Sequence, residues 1–155
     1  MDDMAFRIAE AVASQIELIP FSPAPETVAV RDTDVLHPTD TLPAIILTAT
    51  DDEETGWAVS GNGIDNFGDV GRAYLVFISI YRTFTGESQT DLDSNTKIGK
   101  LIREALNKPF LDGVDEVWDT QVSPCVTVNP SGLAKGVKKS SMSIRFHTCE
   151  GRNGQ

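Results

Sequence analysis

The amino-acid sequence predicts an α+β fold, with two amphipathic helices packed on one face of a mostly antiparallel sheet. Three observations favour this class: two segments have helical apolar spacing, several short segments have strand-like composition, and strands do not alternate regularly with helices. A chain of 155 residues suits one domain with an ordinary hydrophobic core. We therefore expect a single domain over residues 1–149, followed by a polar C-terminal tail over residues 150–155.

The first helix is predicted from apolar residues that recur three and four positions apart. These residues are Ala5, Ile8, Ala9, Val12, Ala13 and Ile16. Asp2 or Asp3 can cap the N-terminus of this helix, because a carboxylate there accepts hydrogen bonds from free backbone amides. Pro20 and the prolines that follow it end the helix and favour an extended connection.

A second helix is predicted from the same spacing, which runs from Ile98 to Leu106. The preceding residues 85–93 are acidic and polar, as is typical of a turn, so we expect Asp91 or Asp93 to cap this helix. Pro109 follows the last apolar residue and prevents the helix from continuing.

Five segments are predicted to form strands from their β-branched and apolar residues. They are residues 27–31, 43–48, 73–84, 114–122 and 141–149. The third segment is apolar on both faces in its first half, which places it at the centre of the sheet. The last segment alternates between apolar and polar residues and can form a long-looped hairpin with the segment before it. A turn over residues 34–40 is expected to join the first two strands as a hairpin.

Residues 49–71 are predicted to form a long acidic and glycine-rich loop. The acidic cluster Asp51, Asp52, Glu53 and Glu54 lies near its start, and the segment contains five glycines. Long loops often contact a partner, so these four acids are candidate contact residues. A bound Ca²⁺ ion is the weaker interpretation, because consecutive acids in one run rarely converge on one cation.

The charge of the chain is strongly acidic and unevenly distributed. It has 13 Lys and Arg residues against 23 Asp and Glu residues, which gives a net charge of −10 and argues against nucleic-acid binding over a broad surface. Residues 1–71 hold 14 acids and 2 bases, whereas residues 72–155 hold 9 acids and 11 bases. Copies that associate head-to-tail could therefore bring acidic and basic surfaces together around a closed ring.

One basic cluster is visible in the sequence. It consists of Lys135, Lys138 and Lys139, in the connection before the last predicted strand. The cluster could contact a phosphate backbone or an acidic partner, or it could belong to a solvated loop. These lysines and the four acids of residues 51–54 are the candidate partner contacts.

No sequence motif indicates catalysis, a cofactor or a metal site. His37 and His147 have no GxSxG or HExxH motif beside them, and Cys125 and Cys149 lack the spacing of a zinc site. Two such cysteines suit a reduced, intracellular environment. The chain begins without a secretory signal pattern and contains no apolar run long enough for a membrane-spanning helix. We expect no enzyme activity, no cofactor, no metal and no membrane association.

The order of elements resembles that of tail-terminator and tail-completion proteins of long-tailed bacteriophages. An N-terminal amphipathic helix (DDMAFRIAEAVASQIE) leads through a proline-rich link to an extended segment (ETVAVRDTD). There follow a proline-led strand (LPAIILTA), a long strand (RAYLVFISIYRTF), a helix after an acidic turn (TDLDSNTKIGKLIREAL) and two closing strands. The resemblance lies in this order and covers most of residues 2–149.

The resemblance implies a structural virion protein that forms a ring, typically a hexamer, on the last ring of the tail tube. Such a ring stops tube growth and presents a surface to the head-side connector, while DNA passes through its lumen. The implied partners are further copies of the chain, the tail tube protein and a head-completion or connector protein, with assembly in the host cytoplasm. The family has no catalytic residues, and residues 49–71 look longer than its corresponding loop.

Two alternatives to a tail terminator remain open at the level of sequence. One is another neck component, such as a head-closure or adaptor ring, because these proteins share small α+β designs. The other is a monomeric binding module whose acidic loop takes a cation or a basic peptide.

Overall fold

The computed structural model describes residues 3–21, 24–57, 69–83, 88–127 and 137–151. Within these ranges the chain forms two helices and six strands. The helices are α1 (Met4–Glu17) and α2 (Ser88–Leu106), and the strands are β1 (Thr27–Val30), β2 (Ala44–Trp57), β3 (Asp69–Thr83), β4 (Val117–Val122), β5 (Val126–Thr127) and β6 (Val137–Gly151). The α+β class predicted from the sequence is confirmed.

The six strands belong to one open sheet. Its order is β1-β2-β3-β6-β4. The short strand β5 also pairs with β6, on the same edge as β4 but at a different part of β6. β1 and β2 are parallel, whereas the other pairs of described strands are antiparallel. The sheet is therefore mostly antiparallel, as predicted, and β3 lies at its centre.

Both helices lie on one face of the sheet and enclose the main hydrophobic core. α1 packs on β1, β2 and β3, and α2 packs on β4, β6 and α1. The core is built from the apolar stripe of each helix and from alternate strand residues, which share a face of the sheet. Its fully buried side chains include Ile8, Val12, Ile16, Ile45, Leu47, Val76, Ile78, Ile80, Ile102, Ile144 and Phe146.

The N-terminus of α1 follows the prediction. Asp3 is the N-cap residue, and its carboxylate accepts a hydrogen bond from the Ala5 amide at 3.0 Å. The helix ends at Glu17, before the prolines that cannot continue it. Asp2, the other predicted cap, lies outside the described residues.

The predicted start of α2 is wrong. The helix begins at Ser88, inside the segment predicted to be a turn, so Asp91 and Asp93 lie within the helix and neither caps it. Its first turns contain a single apolar residue, Leu92, and therefore lack the periodic spacing that reveals a helix. The predicted end at Leu106, ahead of the proline, is confirmed.

The predicted hairpin between β1 and β2 is also wrong, because the two strands are parallel. Thr27 pairs with Ala44, and the register continues to the end of β1. Parallel neighbours need a connection that returns to the same end of the sheet, so residues 31–43 do not form a tight turn between antiparallel strands. Leu36 and Leu42 in this connection pack against a small second cluster on the face opposite the helices.

The predicted loop over residues 49–71 is wrong at both ends. β2 extends to Trp57 and β3 begins at Asp69, so the backbone of the acidic cluster at residues 51–54 belongs to a long antiparallel ladder. Two register shifts in this acidic stretch mark bulges or irregularities in the ladder. Pairing with β3 therefore overrides a composition that disfavours strands. Residues 58–68 lie outside the described residues.

The predicted long-looped hairpin at the end of the chain is confirmed, since β6 is antiparallel to β4 and β5. β6 is longer than predicted because it pairs with almost the whole of β3. Its alternation is as expected: Met142, Ile144 and Phe146 are buried, and the polar residues between them are half-buried on the opposite face.

Candidate interaction surfaces

The predicted basic cluster does not form one surface patch. Lys138 and Lys139 are successive residues of β6, so their side chains point to opposite faces of the sheet. Lys138 is buried at 8% exposure, and Lys139 is half-buried. The solvated-loop interpretation is wrong for these two lysines, and Lys135 lies outside the described residues.

Lys139 belongs to an ionic cluster that holds residues 31–43 against the sheet. Its Nζ donates to Asp34 Oδ2 at 2.5 Å, and Ser79 Oγ donates to the same carboxylate oxygen at 3.3 Å. The Tyr81 hydroxyl donates to the backbone carbonyl of Asp34, and the Lys139 ammonium lies 5.6 Å from the centre of the Tyr81 ring. Asp34 therefore ties the connection to both β3 and β6.

The electrostatics of this cluster are those of a structural ion pair. The hydrogen bond from Lys139 lowers the pKa of the Asp34 carboxyl. Burial is the largest single influence on the Lys139 ammonium and lowers its pKa, but the hydrogen bond to Asp34, together with the electrostatic interactions with Tyr81 and Asp34, raises the pKa overall. Burial raises the pKa of the Tyr81 hydroxyl. These shifts keep Asp34 and Lys139 charged at neutral pH, so neither is adapted to exchange protons there.

Two further ion pairs join segments of the described chain. The guanidinium of Arg31 contacts both carboxylate oxygens of Asp40, at 2.5 and 2.6 Å, and the His37 amide donates to Asp40 at 2.7 Å. Arg7 Nη1 lies 3.0 Å from Glu116 Oε2 and links α1 to the residues before β4. Each arginine lowers the pKa of its carboxyl partner.

We expect acid to weaken the fold partly through Asp34. Because its pKa is lower in the folded chain, the unfolded chain binds more protons there, and stability is lost as pH falls below about 4. Asp34→Asn should therefore reduce the pH dependence of the free energy of unfolding in this range, measured by urea titration. Asp112→Asn replaces a solvent-exposed carboxylate and is the control. An equal reduction in both variants would contradict the role of the ion pair.

Lys138 and Arg82 form a like-charged pair on the core side of the sheet. They are directly opposite each other in the ladder of β3 and β6. Arg82 Nη1 is buried and has no hydrogen-bond partner among the residues that the structure describes. Like charges in directly opposite positions destabilise a sheet, and burial of a charged group without a partner adds a desolvation penalty.

We expect Lys138→Met to raise the free energy of unfolding by about 1 kcal/mol. Methionine keeps most of the buried aliphatic stem and removes the charge that faces Arg82. Urea unfolding at neutral pH measures the change. Lys108→Met removes an exposed ammonium that lies 5.6 Å from the centre of the Phe110 ring, so this control should not raise the free energy of unfolding. A loss of stability in Lys138→Met would show that the ammonium is favourably solvated or paired.

The two edges of the sheet differ in how they are protected. In β1 the amides of Thr27 and Arg31 donate hydrogen bonds to the carbonyls of Pro43 and Leu47. Because backbone amides alternate in direction along a strand, the amides of Val28 and Val30 face away from the sheet. At the other edge, β4 and β5 are separated by residues 123–125, which include Pro124. Proline and a break in the strand both discourage pairing with another chain. Of these two edges, β1 is therefore the better template for strand addition.

The face opposite the helices is partly open. Phe77 near the middle of β3 and Trp118 in β4 are each 42% exposed. The ring of His147 lies 5.7 Å from that of Trp118, and its Nε2 is 3.5 Å from Gln121 Oε1. The residues that the structure describes contain no group of three or more His, Cys, Asp and Glu that could hold a metal ion. His147 thus contributes to a mixed aromatic and polar surface.

A cleft of about 480 Å³ lies between α2 and the break between β4 and β5. It is lined by Gly99, Lys100, Arg103, Glu104, Ser123, Pro124, Cys125 and Met142. The helix and the break approach closely at its floor, because a Cβ atom on Gly99 would lie 2.6 Å from Cys125 Cβ. Burial raises the pKa of the Cys125 thiol, which disfavours a role as nucleophile. No sequence pattern reveals this cleft, since its walls come from two distant segments.

Comparisons with known proteins show a likeness of fold to a solved structure. No family model and no curated protein matches the sequence. A chain from a solved structure of the virion of a native gene transfer agent particle has a similar fold, with a TM-score of 0.59 and 10% sequence identity. The similarity covers 96% of this chain and 99% of that chain. The shared fold spans both chains. None of the helices in the described ranges is long and apolar enough to cross a membrane.

Proposed function

We propose that this protein is a structural component of a phage-like virion. The observation that supports the proposal most directly is the fold likeness to a chain of a gene transfer agent virion over nearly the full length of both chains. The order of helices and strands also agrees with the resemblance to tail-terminator and tail-completion proteins. We propose no enzyme activity, because the described surfaces offer ion pairs and packing contacts in place of an activated nucleophile.

Within the virion, the proposed role is that of a tail terminator. The protein would form a ring, of six copies by resemblance to the family, that caps the tail tube and joins it to the head-side connector. The open edge of β1 and the cleft beside α2 offer surfaces for contact between neighbouring subunits. A net charge of −10 suits a ring whose lumen must let DNA pass without binding it.

The acidic cluster at residues 51–54 is proposed to contact a neighbouring virion protein, and so is Lys135. The backbone of the acidic cluster lies in the long ladder of β2 and β3, towards the end of β2. Replacing the four acids by Asn and Gln keeps their size and removes their charge. In phage that carry this variant, we expect fewer joined particles while the protein itself still accumulates and folds.

The role is tested by negative-stain electron microscopy of lysates from phage in which this gene is disabled. Overlong tails detached from heads are expected for a tail terminator. Filled or leaking heads beside tails of normal length would instead assign the protein to a head-closure or adaptor ring. Intact infectious particles would contradict a virion role and favour a monomeric binding module. Restoration of normal particles by the wild-type gene supplied in trans is the control.

A further inference from the structure

We propose that the exposed face of α1 in one copy docks into the cleft beside α2 in the next copy. The inference rests on the ring assembly proposed above and names its subunit contact. Three observations carry it: an aromatic residue exposed on an acidic helix face, a cleft with a basic rim, and the location of these two features on different parts of the fold.

The exposed face of α1 consists of residues spaced three or four apart along the helix. They are Asp3, Phe6, Glu10, Ser14 and Glu17, and all are exposed. Phe6 is 53% exposed, which is a large apolar surface to leave in water. The one base of this helix, Arg7, pairs with Glu116, so the face keeps a negative charge around its aromatic residue.

The cleft beside α2 has the opposite charge. Lys100 and Arg103 line it and are exposed, and within the described residues neither forms an ion pair. Glu104 is the acid among its lining residues, so bases outnumber acids on the rim. Cys125 and Met142 contribute apolar surface within it. A cleft of about 480 Å³ has room for an aromatic side chain.

The two surfaces match in charge and in their apolar residues. Phe6 supplies an apolar anchor for the cleft, while Glu10 and Glu17 approach the bases at its rim. Buried aromatic anchors surrounded by polar contacts are typical of protein interfaces, and complementary charges orient the two partners. The acidic front half and basic back half of the sequence thus meet through two identified surfaces.

The location of these surfaces determines the type of assembly. α1 packs over β1, β2 and β3, whereas the cleft lies between α2 and the β4–β5 break, so the contact joins different patches of two copies. Such a heterologous contact leaves one α1 face and one cleft beside α2 unoccupied in every pair of copies. It therefore repeats from copy to copy and closes into a ring when the rotation fits.

Charge reversal on the full-length protein tests the contact. Glu10→Lys with Glu17→Lys, or Lys100→Glu with Arg103→Glu, should each weaken self-association by about 10- to 100-fold in sedimentation experiments at low salt. Combining both pairs of reversals should restore most of the association, because opposite charges face each other again. Lys97→Glu with Lys108→Glu makes the same change in net charge as Lys100→Glu with Arg103→Glu, but outside the cleft, and is the matched control for that variant.

A carbodiimide crosslinking experiment provides a second measurement. In mixtures of ¹⁵N-labelled and unlabelled protein, we expect crosslinks from Glu10 or Glu17 of one copy to Lys100 of another. The contact would be overturned if neither two-residue charge reversal weakened self-association, or if all crosslinks lay on other surfaces. A ring built through another contact would then still be possible. A chain that stays monomeric at every concentration would also overturn it, whereas the tail-terminator role is decided independently by the electron micrographs.

Discussion

Phe146→Ala is expected to lower the free energy of unfolding by about 4 kcal/mol. Phe146 is fully buried in β6, on the core face beneath the helices, and it pairs across the ladder with Tyr74 of β3. Alanine would remove most of a buried aromatic side chain and leave a cavity in a close-packed core. Urea unfolding measures the loss, with an unchanged denaturant slope as evidence that only stability has changed.

Phe77→Ala is the matched control for this prediction. Phe77 has the same side chain and lies in the central strand, but it points to the opposite face of the sheet and is 42% exposed. Its replacement should cost less than about 1.5 kcal/mol, because less apolar surface is returned to water. Equal losses in the two variants would contradict the assignment of the core to the helix-covered face.

Gly99→Val is expected to lower the free energy of unfolding by about 3 kcal/mol. Valine would place a Cβ atom where Cys125 Cβ is only 2.6 Å away, so α2 or the β4–β5 break would have to move. Replacing an exposed glycine in a helix by a residue with a side chain normally raises the free energy of unfolding. The loss expected at Gly99 has the opposite sign, so a measured loss would point to the close contact with Cys125. Urea unfolding of the purified variant measures the effect.

Cys125→Gly provides the test of the cause. It removes the Cβ atom that Gly99 approaches, so the double variant should lose less stability than the sum of the two single variants. Strict additivity would show that the loss in Gly99→Val comes from helix propensity or from another contact. The same cycle tests how closely the two walls of the cleft pack.

Features with a periodic sequence signal could be predicted well. The apolar stripe of α1 and the cap at Asp3 follow from local spacing and from the needs of free backbone amides. The central position of β3 follows from its apolar residues on both faces. The alternation along β6 likewise identifies the face that packs under the helices.

Features that depend on a distant partner could not be predicted. The acidic residues 51–54 adopt strand backbone because β3 pairs with them, although their composition favours a loop. The parallel pairing of β1 with β2 depends on the path of residues 31–43, which Asp34 holds to two other strands. Lys138 and Lys139 look like one basic patch in the sequence, but strand geometry separates them onto two faces.

The sequence by itself determined the fold class, the helix-covered core and the uneven charge of the two halves, because periodicity and composition are local properties. Only the tertiary structure decided which of those charges are paired within the chain and which remain exposed for contact with a partner. It pairs Arg7 with Glu116 and Lys139 with Asp34, and it leaves Phe6 exposed on α1. It also brings α2 next to the β4–β5 break to form the cleft, which requires contacts between segments that no local pattern relates.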